Sequence, residues 1–409
     1  MTATRNGLSS RLTTISLVLM GLAWLVAAPL LWRTRVPDDL NLPNLDQHDF
    51  FSAAELDRAE HYERFLRVIT VLSLVATIIA LLVLIRRAPR LARNTGLGPV
   101  GAGVIVGMIT ITVIWVVSFP FAVAARWWDG RYGLTHGSWL DWFFEPWGEL
   151  GGTAVLALIQ ITVVMLLARR YARLWWVPAM SIFAVLIALA VFASPYLLAF
   201  TVDPPKSAQL RQDVRTLERQ EGVSGTPVDV EKVSDLTTQA NAFASGLGPT
   251  TRVVVWDTLL KHPFDRGEIR FVLAHEFGHL ARDHLWKGLA WVLLFGFPLA
   301  FAVAQITRRR GGLGDPGVLP FAFLVLLLLQ VMVTPAQNAV SRRVEAEADW
   351  MALQTTRDPA SGRGLFEKFQ ETSLAEPNPP TWAYLFLDTH PTLMQRIAMT
   401  EAWKERQGP

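Results

Sequence analysis

The apolar residues of this chain are gathered into long runs that polar stretches separate. Seven of these runs are long enough to cross the roughly 30 Å hydrocarbon core of a bilayer, which takes about 20 residues of α-helix. They lie at about 12–32, 66–85, 100–124, 152–168, 176–200, 288–306 and 318–336. The pattern predicts a polytopic membrane protein with seven spans.

Two polar segments, 201–287 and 337–409, lie outside these runs. In the first, Lys206–Gln220 has apolar residues three and four positions apart, which predicts an amphipathic helix. Thr226–Val233 and Thr251–Trp256 have the composition of short strands. Helical periodicity returns over residues 268–285. The polar part therefore predicts a small α+β unit next to the membrane.

Composition narrows the class of protein further. Hydrophobic residues make up 51% of the chain and charged residues only 18%, which excludes an ordinary soluble protein. The net charge of +3 is small, so no basic surface for nucleic acid is expected. The chain has no cysteine, which excludes disulfides and thiolate metal sites. Any metal must be held by His, Asp or Glu.

Charge in the loops predicts the membrane orientation. The loops after the second, fourth and sixth spans are rich in arginine, whereas those after the first and third spans are acidic. By the positive-inside rule the arginine loops and the N-terminus are cytoplasmic, and both polar segments are extracytoplasmic. Only six of the 38 basic residues are lysine, a bias typical of bacteria with GC-rich genomes, so the expected location is a bacterial cell membrane.

The string His275-Glu276-Phe277-Gly278-His279 is the strongest chemical signal in the chain. Two histidines four residues apart on a helix lie about 40° apart around its axis, so both imidazoles face one point, as zinc requires. Glu276 is offset by about 100°, from where it can act as a general base on a water held by the metal. His284 lies about 140° from His279 on a regular helix, which assigns it a packing role.

A catalytic zinc takes three protein ligands and leaves one position open. Candidates for the third ligand lie in Ser341–Asp349, directly after the seventh span. Glu345 and Asp349 are four residues apart and share a helix face, whereas Glu347 projects about 200° from Glu345 and cannot serve the same site. One carboxylate of the pair can bind the metal while the other accepts a proton from a ligating imidazole.

The histidine string followed, beyond two spans, by Glu-x-x-Ala-Asp at 345–349 resembles the M48 metallopeptidases, and most of all the Ste24 type, the CAAX prenyl protease family. In that family the Glu of the second motif is the third zinc ligand, and Glu345 occupies its position. The resemblance leaves Asp349 outside the ligand set, as a hydrogen-bond partner. It implies an integral-membrane zinc endopeptidase that hydrolyses peptide bonds by means of a zinc-activated water.

Two further strips resemble the same family. The strip Asn241–Gly248, running into 252–260, matches an edge strand that pairs with extended substrate, which implies a substrate-binding role for Asn241. Thr389-His390-Pro391, with Arg396 beyond it, matches the His-Pro motif. The resemblance implies that His390 stabilises the oxyanion, and that Arg396 holds substrate or orders its loop.

The expected fold class is an all-α polytopic membrane protein with about seven transmembrane helices, a zincin-type HExxH helix and a small α+β membrane-proximal domain. The expected division is a membrane domain with spans one to five (1–200), a zinc-helix segment with short strands (201–287), spans six and seven (288–336), and the third-ligand helix with the His-Pro segment (337–409).

Three other functions compete with this one. The same chemistry serves membrane-protein quality control in the HtpX-like branch of the family. A membrane sensor can carry the zinc motif without catalysis, and a structural zinc is a further alternative, although structural sites take four protein ligands. The expected partners are a peptide or protein substrate, with or without a lipid group, and the lipid bilayer, with Zn²⁺ as cofactor and no nucleic acid.

Overall fold

A computed structural model describes residues 2–144 and 147–407. Within them the chain forms thirteen α-helices and four β-strands. The helices are α1 Thr2–Leu31, α2 Ala53–Asn94, α3 Pro99–Tyr132, α4 Trp139–Phe144, α5 Trp147–Arg170, α6 Trp176–Leu198, α7 Ala208–Gln220, α8 Arg266–Ala281, α9 His284–Arg308, α10 Leu319–Thr356, α11 Pro359–Ser373, α12 Thr381–Phe386 and α13 Leu393–Gln407. The strands are β1 Val202–Asp203, β2 Val228–Glu231, β3 Ala242–Ser245 and β4 Arg252–Trp256.

Seven helices among the described residues, α1, α2, α3, α5, α6, α9 and α10, are long and apolar enough to cross a membrane, which confirms the seven predicted spans. Several extend well beyond their apolar runs. Helix α2 has 42 residues and starts at a capping box, in which Ser52 and Glu55 each satisfy a backbone amide of the other residue. Some membrane-spanning helices therefore continue beyond the bilayer as polar helical segments.

Close helix contacts inside the bundle depend on small residues. A Cβ at Gly103 would lie 2.5 Å from Met165 Cε, and one at Gly107 would lie 2.7 Å from Ile161 Cδ1. The two glycines thus let α3 approach α5 more closely than any other residue would. Elsewhere, Trp24 Nε1 of α1 donates a hydrogen bond of 2.8 Å to the Leu294 carbonyl of α9. Pro298 has no amide hydrogen to give that carbonyl.

The two polar segments fold together outside the bundle. Their strands form one sheet in the order β1-β2-β4-β3, with β2 and β4 parallel and β3 antiparallel to β4 at the edge. Strand β4 and helices α8, α10, α11 and α13 share one hydrophobic cluster, which includes Val253, Phe277, Leu353, Phe366 and Ile397. The predicted helix at 206–220 corresponds to α7, and its apolar face is buried.

Helix α10 connects the membrane to this polar unit without interruption. It has 38 residues, which at 1.5 Å per residue gives a length of about 57 Å. Its first half is the seventh span and its second half carries Glu345, Glu347 and Asp349. The structure differs from expectation at 268–285, where one predicted helix is two: α8 ends at Ala281 and α9 begins at His284.

Candidate metal centre and active-site cleft

Helix α8, which carries the HExxH string, is fixed at its start by side-chain hydrogen bonds. Asp265 caps the first turn by accepting a hydrogen bond from the Glu268 amide, and the Glu268 carboxylate accepts one from the Asp265 amide. Glu268 is almost fully buried and also accepts a hydrogen bond of 2.7 Å from Lys368 of α11. His275 and Glu276, two turns further on, are buried as well. The ligand-bearing turns are therefore held within the domain core.

Helix α10 crosses α8 at Gly278, inside the string. A Cβ at Gly278 would lie 3.0 Å from Met351 Cβ, so a larger residue would push the two helices apart. The contact brings Glu345 to the imidazole pair: Glu345 Oε2 lies 3.3 Å from His275 Nε2, and Oε1 lies 3.6 Å from His279 Nε2. The structure thus brings together the three side chains that the sequence singled out.

The group formed by His275, His279 and Glu345 fits a cation. One ligand atom from each residue lies within 4.8 Å of the others. The two Nε2 atoms face each other at 3.1 Å. Glu345 Oε2 is buried and has no hydrogen bond of good geometry to any described residue. Converging nitrogen lone pairs with an unsatisfied buried carboxylate oxygen are the donor set that a divalent transition metal binds.

Asp349 holds the far side of the His275 ring. His275 Nδ1 donates to Asp349 Oδ1 at 2.9 Å, which leaves Nε2 as the lone-pair side that faces Glu345. Burial alone lowers the pKa of His275, but hydrogen bonds to the Asp349 and Glu345 carboxylates raise it to about 10. The negative charge that stabilises a proton on this ring also favours a metal cation beside it.

Arg396 completes this arrangement from α13. Its Nε and Nη2 atoms donate to the two Asp349 oxygens at 2.8 and 2.7 Å, and its guanidinium lies over the Phe366 ring. The side chain is buried and both donors point at Asp349. The resemblance implied that Arg396 holds substrate or orders its loop. We propose that it positions Asp349, and it also borders the cleft.

A cleft of about 420 Å³ opens onto the metal group. Glu276, the candidate general base, lines it together with the two histidines. Strand β3 and the preceding Asn241 form another wall, which places the open edge of the sheet beside α8. The remaining walls are largely apolar, with Phe271, Val272, Leu365 and Phe369 among them.

His390 stands at the rim of the same cleft. Its side chain is about half exposed, and Nε2 lies 3.2 Å from Glu345 Oε2. The loop that carries it is tied to α10: Asn338 Nδ2 donates to the Leu385 carbonyl at 3.1 Å, and Arg342 Nη1 donates to the carbonyls of Tyr384 and Asp388 at 2.8 Å each. Helix α10 thus positions both the Glu345 carboxylate and the loop that carries His390.

Asn338 and Arg342 were not among the functional residues predicted from the sequence. A signal for them was present, because they lie seven and three residues before Glu345 and so share its face of α10. Sequence analysis also missed the surroundings of His284. The expected packing role assumed a regular helix, but the break between α8 and α9 turns His284 Nδ1 to within 3.0 Å of His279 Nδ1.

The sequence profile described as Peptidase family M48 matches residues 204–404. These residues are an M48 peptidase domain. The M48 domain includes the imidazole pair, Glu276, Glu345 and His390. A metallopeptidase family implies a metal ion, and His275, His279 and Glu345 form a group in this domain that could hold one.

Several relatives of known sequence are similar to the chain. The uncharacterized metalloprotease YhfN of Bacillus subtilis is 28% identical over 262 residues, which is 61% of each chain. The CAAX prenyl protease 1 homolog of Oryza sativa is 29% identical over 181 residues, 41% of each chain. The protease HtpX homolog of Ligilactobacillus salivarius is 28% identical over 190 residues, 39% of this chain and 63% of its own. The alignments thus span less than two thirds of each relative.

The fold also has a close counterpart among solved structures. The crystal structure of S. mikatae Ste24p superposes with a TM-score of 0.72, covering 95% of this chain and 97% of that one at 18% identity. The overall architecture, seven apolar helices with a small sheet and the M48 domain, is therefore a Ste24p-like fold. Together with the span count, this makes the chain an integral membrane protein.

Proposed function

We propose that this chain is an integral-membrane zinc endopeptidase of the Ste24 kind, in which His275, His279 and Glu345 hold the zinc ion. One observation carries the proposal: ligand atoms from two helices that two membrane spans separate lie within 4.8 Å of one another, on a cleft that Glu276 also lines. Two ligands of a tetrahedral zinc at about 2.0–2.1 Å lie about 3.3 Å apart. The observed separations of 3.1, 3.3 and 3.6 Å support zinc.

The other residues of the cleft suit peptide-bond hydrolysis. Zinc, when bound, supplies Lewis acidity that polarises a carbonyl group and lowers the pKa of water. Glu276 takes the proton of the attacking water and passes it to the leaving amine. His390 donates a hydrogen bond to the carbonyl oxygen as that oxygen gains negative charge, a contribution of about 2.7–4 kcal/mol. Strand β3, which Asn241 precedes, pairs with the extended substrate backbone.

We further propose that the M48 domain faces the outside of a bacterial cell membrane. The arginine-rich ends of α2, α5 and α9 meet on one side of the bundle, where Ala88, Ala168, Leu313 and Val318 share a hydrophobic cluster. Helix α9 runs from His284 at the metal group to Arg308 at that side, over 25 residues or about 37 Å. The metal group and the arginine side are thus one membrane thickness apart, and the positive-inside rule places the arginine side in the cytoplasm.

Zinc analysis and peptide cleavage test the proposed chemistry. Purified wild type is expected to hold one zinc ion per chain and to cleave a peptide substrate. Glu276→Gln is expected to keep zinc and lose turnover, because the proton acceptor is removed and the ligands remain, whereas His279→Ala is expected to lose both. Glu268→Gln, which removes a buried carboxylate of the same helix far from the ligands, serves as the control. Equal zinc loss in the Glu276 and His279 variants would contradict these roles.

A pair of peptides tests the substrate. The Ste24-like function predicts that a farnesylated CAAX peptide is cleaved faster than the same peptide without the prenyl group. Equal rates would favour the alternative, quality control of membrane proteins, in which an unprenylated and misfolded membrane protein is the better substrate. Wild type that binds zinc and cleaves none of these would favour the non-catalytic sensor.

A further inference from the structure

A chain of hydrogen bonds reaches the second ligand histidine from the side away from Glu345. His279 Nδ1 lies 3.0 Å from His284 Nδ1, and His284 Nε2 lies 3.1 Å from Glu347 Oε2. His284 and Glu347 are both buried, with side chains 3% exposed. Neither residue belongs to the metal group, and the proposed chemistry assigns them no role.

The chemistry of the three groups fixes where the protons lie. A carboxylate only accepts hydrogen bonds, so His284 Nε2 carries the hydrogen that points at Glu347. In the neutral ring His284 Nδ1 is then an acceptor, and His279 Nδ1 must be the donor to it. A neutral His279 that holds its hydrogen on Nδ1 has its lone pair on Nε2, the atom that faces Glu345 and His275.

The break between α8 and α9 makes this contact possible. On a continuous helix the two side chains would project about 140° apart and could not meet. Instead Asp283 adopts a left-handed conformation, with φ 56° and ψ 33°, between the end of α8 and the start of α9. The helix is therefore interrupted at this residue, and the His284 ring lies against the His279 ring, with 5.0 Å between the ring centroids.

Glu347 is anchored on three sides. Besides His284, it accepts hydrogen bonds from Arg282 Nε at 2.7 Å and from the Arg35 backbone amide at 3.0 Å. It projects from α10 on a different face from Glu345, as the sequence spacing predicted. The same short segment of α10 thus sends one carboxylate to the metal group and another to the far end of the histidine chain.

The two ligand histidines are consequently supported in parallel ways. His275 donates directly to Asp349, which Arg396 neutralises. His279 donates to His284, which in turn donates to Glu347. We propose that His284 and Glu347 are positioning residues, which fix the tautomer and ring orientation of His279 and so set the affinity of the site for zinc. The inference rests on the proposed function, because it takes His279 to be a zinc ligand.

Three substitutions of His284 separate its two hydrogen bonds. Asparagine places an oxygen near the position of Nδ1 and keeps the acceptor for His279. Glutamine places its amide near the position of Nε2 and keeps the donor to Glu347 instead. Phenylalanine keeps the ring volume and loses both. The dissociation constant for Zn²⁺ is measured by competition with a chromophoric chelator on the full-length purified protein, without any peptide substrate.

Loss of an outer hydrogen-bond partner typically weakens metal binding by about 10- to 100-fold. We expect that loss for His284→Phe and His284→Gln, and a change of less than about 10-fold for His284→Asn. Glu347→Gln is expected to weaken zinc binding by about 10-fold or more. Glu268→Gln is the matched control, since Glu268 is an equally buried glutamate paired with a lysine, and its zinc affinity is expected to equal that of wild type.

Zinc affinity of His284→Phe equal to that of wild type would overturn the inference, as would equal affinity of the asparagine and glutamine variants. A loss in Glu268→Gln as large as in Glu347→Gln would overturn it too, because the effect would then follow stability rather than ligand orientation. Wild type that binds no zinc would overturn the proposed function, an outcome separate from the other three.

Discussion

The buried pair of Asp349 and Arg396 gives the sharpest test of how the site is held together. The Asp349 side chain is 2% exposed and that of Arg396 is 10% exposed, and two hydrogen bonds of 2.7 and 2.8 Å join them. Asp349→Asn keeps the shape of the side chain but removes its charge. Breaking a buried ion pair in this way typically costs about 3–5 kcal/mol, because the remaining charge is left buried without a partner.

This loss corresponds to a measurable fall in melting temperature. For a domain of this size the midpoint falls by about 2–4 °C per kcal/mol, so about 4 kcal/mol lowers Tm by roughly 8–16 °C. Because Asp349 also holds His275, zinc affinity is expected to fall by about 10- to 100-fold. The assays are thermal unfolding in detergent and chelator competition for Zn²⁺.

Asp213→Asn is the matched control. Asp213 is buried and accepts two hydrogen bonds from Arg266, but the Arg266 side chain is 54% exposed and keeps its hydration when the pair is broken. The expected cost is about 1 kcal/mol or less, with no change in zinc affinity. The reasoning is refuted if Asp349→Asn lowers Tm no more than Asp213→Asn, or if its zinc affinity equals that of wild type.

Three further predictions concern stability away from the metal. Burial raises the pKa of Asp257, but hydrogen bonds from two backbone amides, a serine and a lysine outweigh it and lower the pKa to about 2 from 3.8. This carboxylate therefore contributes about 2 kcal/mol to the free energy of unfolding above pH 3.8, and the contribution is lost as the pH falls through 2. The difference in Tm between wild type and Asp257→Asn should accordingly shrink in acid. A difference that stays constant with pH would contradict the assignment. Gly246→Ala should lower the free energy of unfolding by about 1–3 kcal/mol, since φ is +93° and the added Cβ would lie 2.6 Å from a backbone carbonyl oxygen. Gly222→Ala, where φ is +76° and the Cβ would meet open space, should lower it less. Equal Tm values for the two variants would refute this prediction. Trp24→Phe should lower Tm by the cost of leaving the Leu294 carbonyl unpaired, about 1–3 kcal/mol, and an unchanged Tm would show that the carbonyl finds another donor.

Much of this architecture could be predicted from the sequence because it depends on local periodicity. The seven apolar runs gave the spans, since a bilayer crossing needs a length of apolar residues whatever its neighbours are. The imidazole pair and the Glu345 and Asp349 pair followed from spacing along a helix. The resemblance to the M48 family then joined the two motifs, which spacing alone could not do.

The parts that were missed depend on tertiary contacts. No glycine or proline marks the helix break at Asp283 in the sequence. The hydrogen bond between His284 and Glu347, which depends on that break, is a tertiary contact that spacing along the chain does not predict. Strand β3 is too short for an alternating pattern, so only the resemblance to the family indicated an edge strand there, and its place beside β4 is set by pairing. The loop of His390 is tied to donors on α10, which lie far from it in the sequence.

Helix α10 runs without a break from the membrane-spanning bundle to the candidate metal centre. Glu345 lies on the helix that also forms the seventh span, and α9 runs from the histidine pair to the opposite side of the bundle. A cut within the membrane-spanning part of either helix would leave the imidazole pair and Glu345 on separate chains, joined only by the packing of α8 against α10. A change in bilayer thickness that alters the tilt of α9 or α10 would therefore act on the distance between the imidazole pair and Glu345.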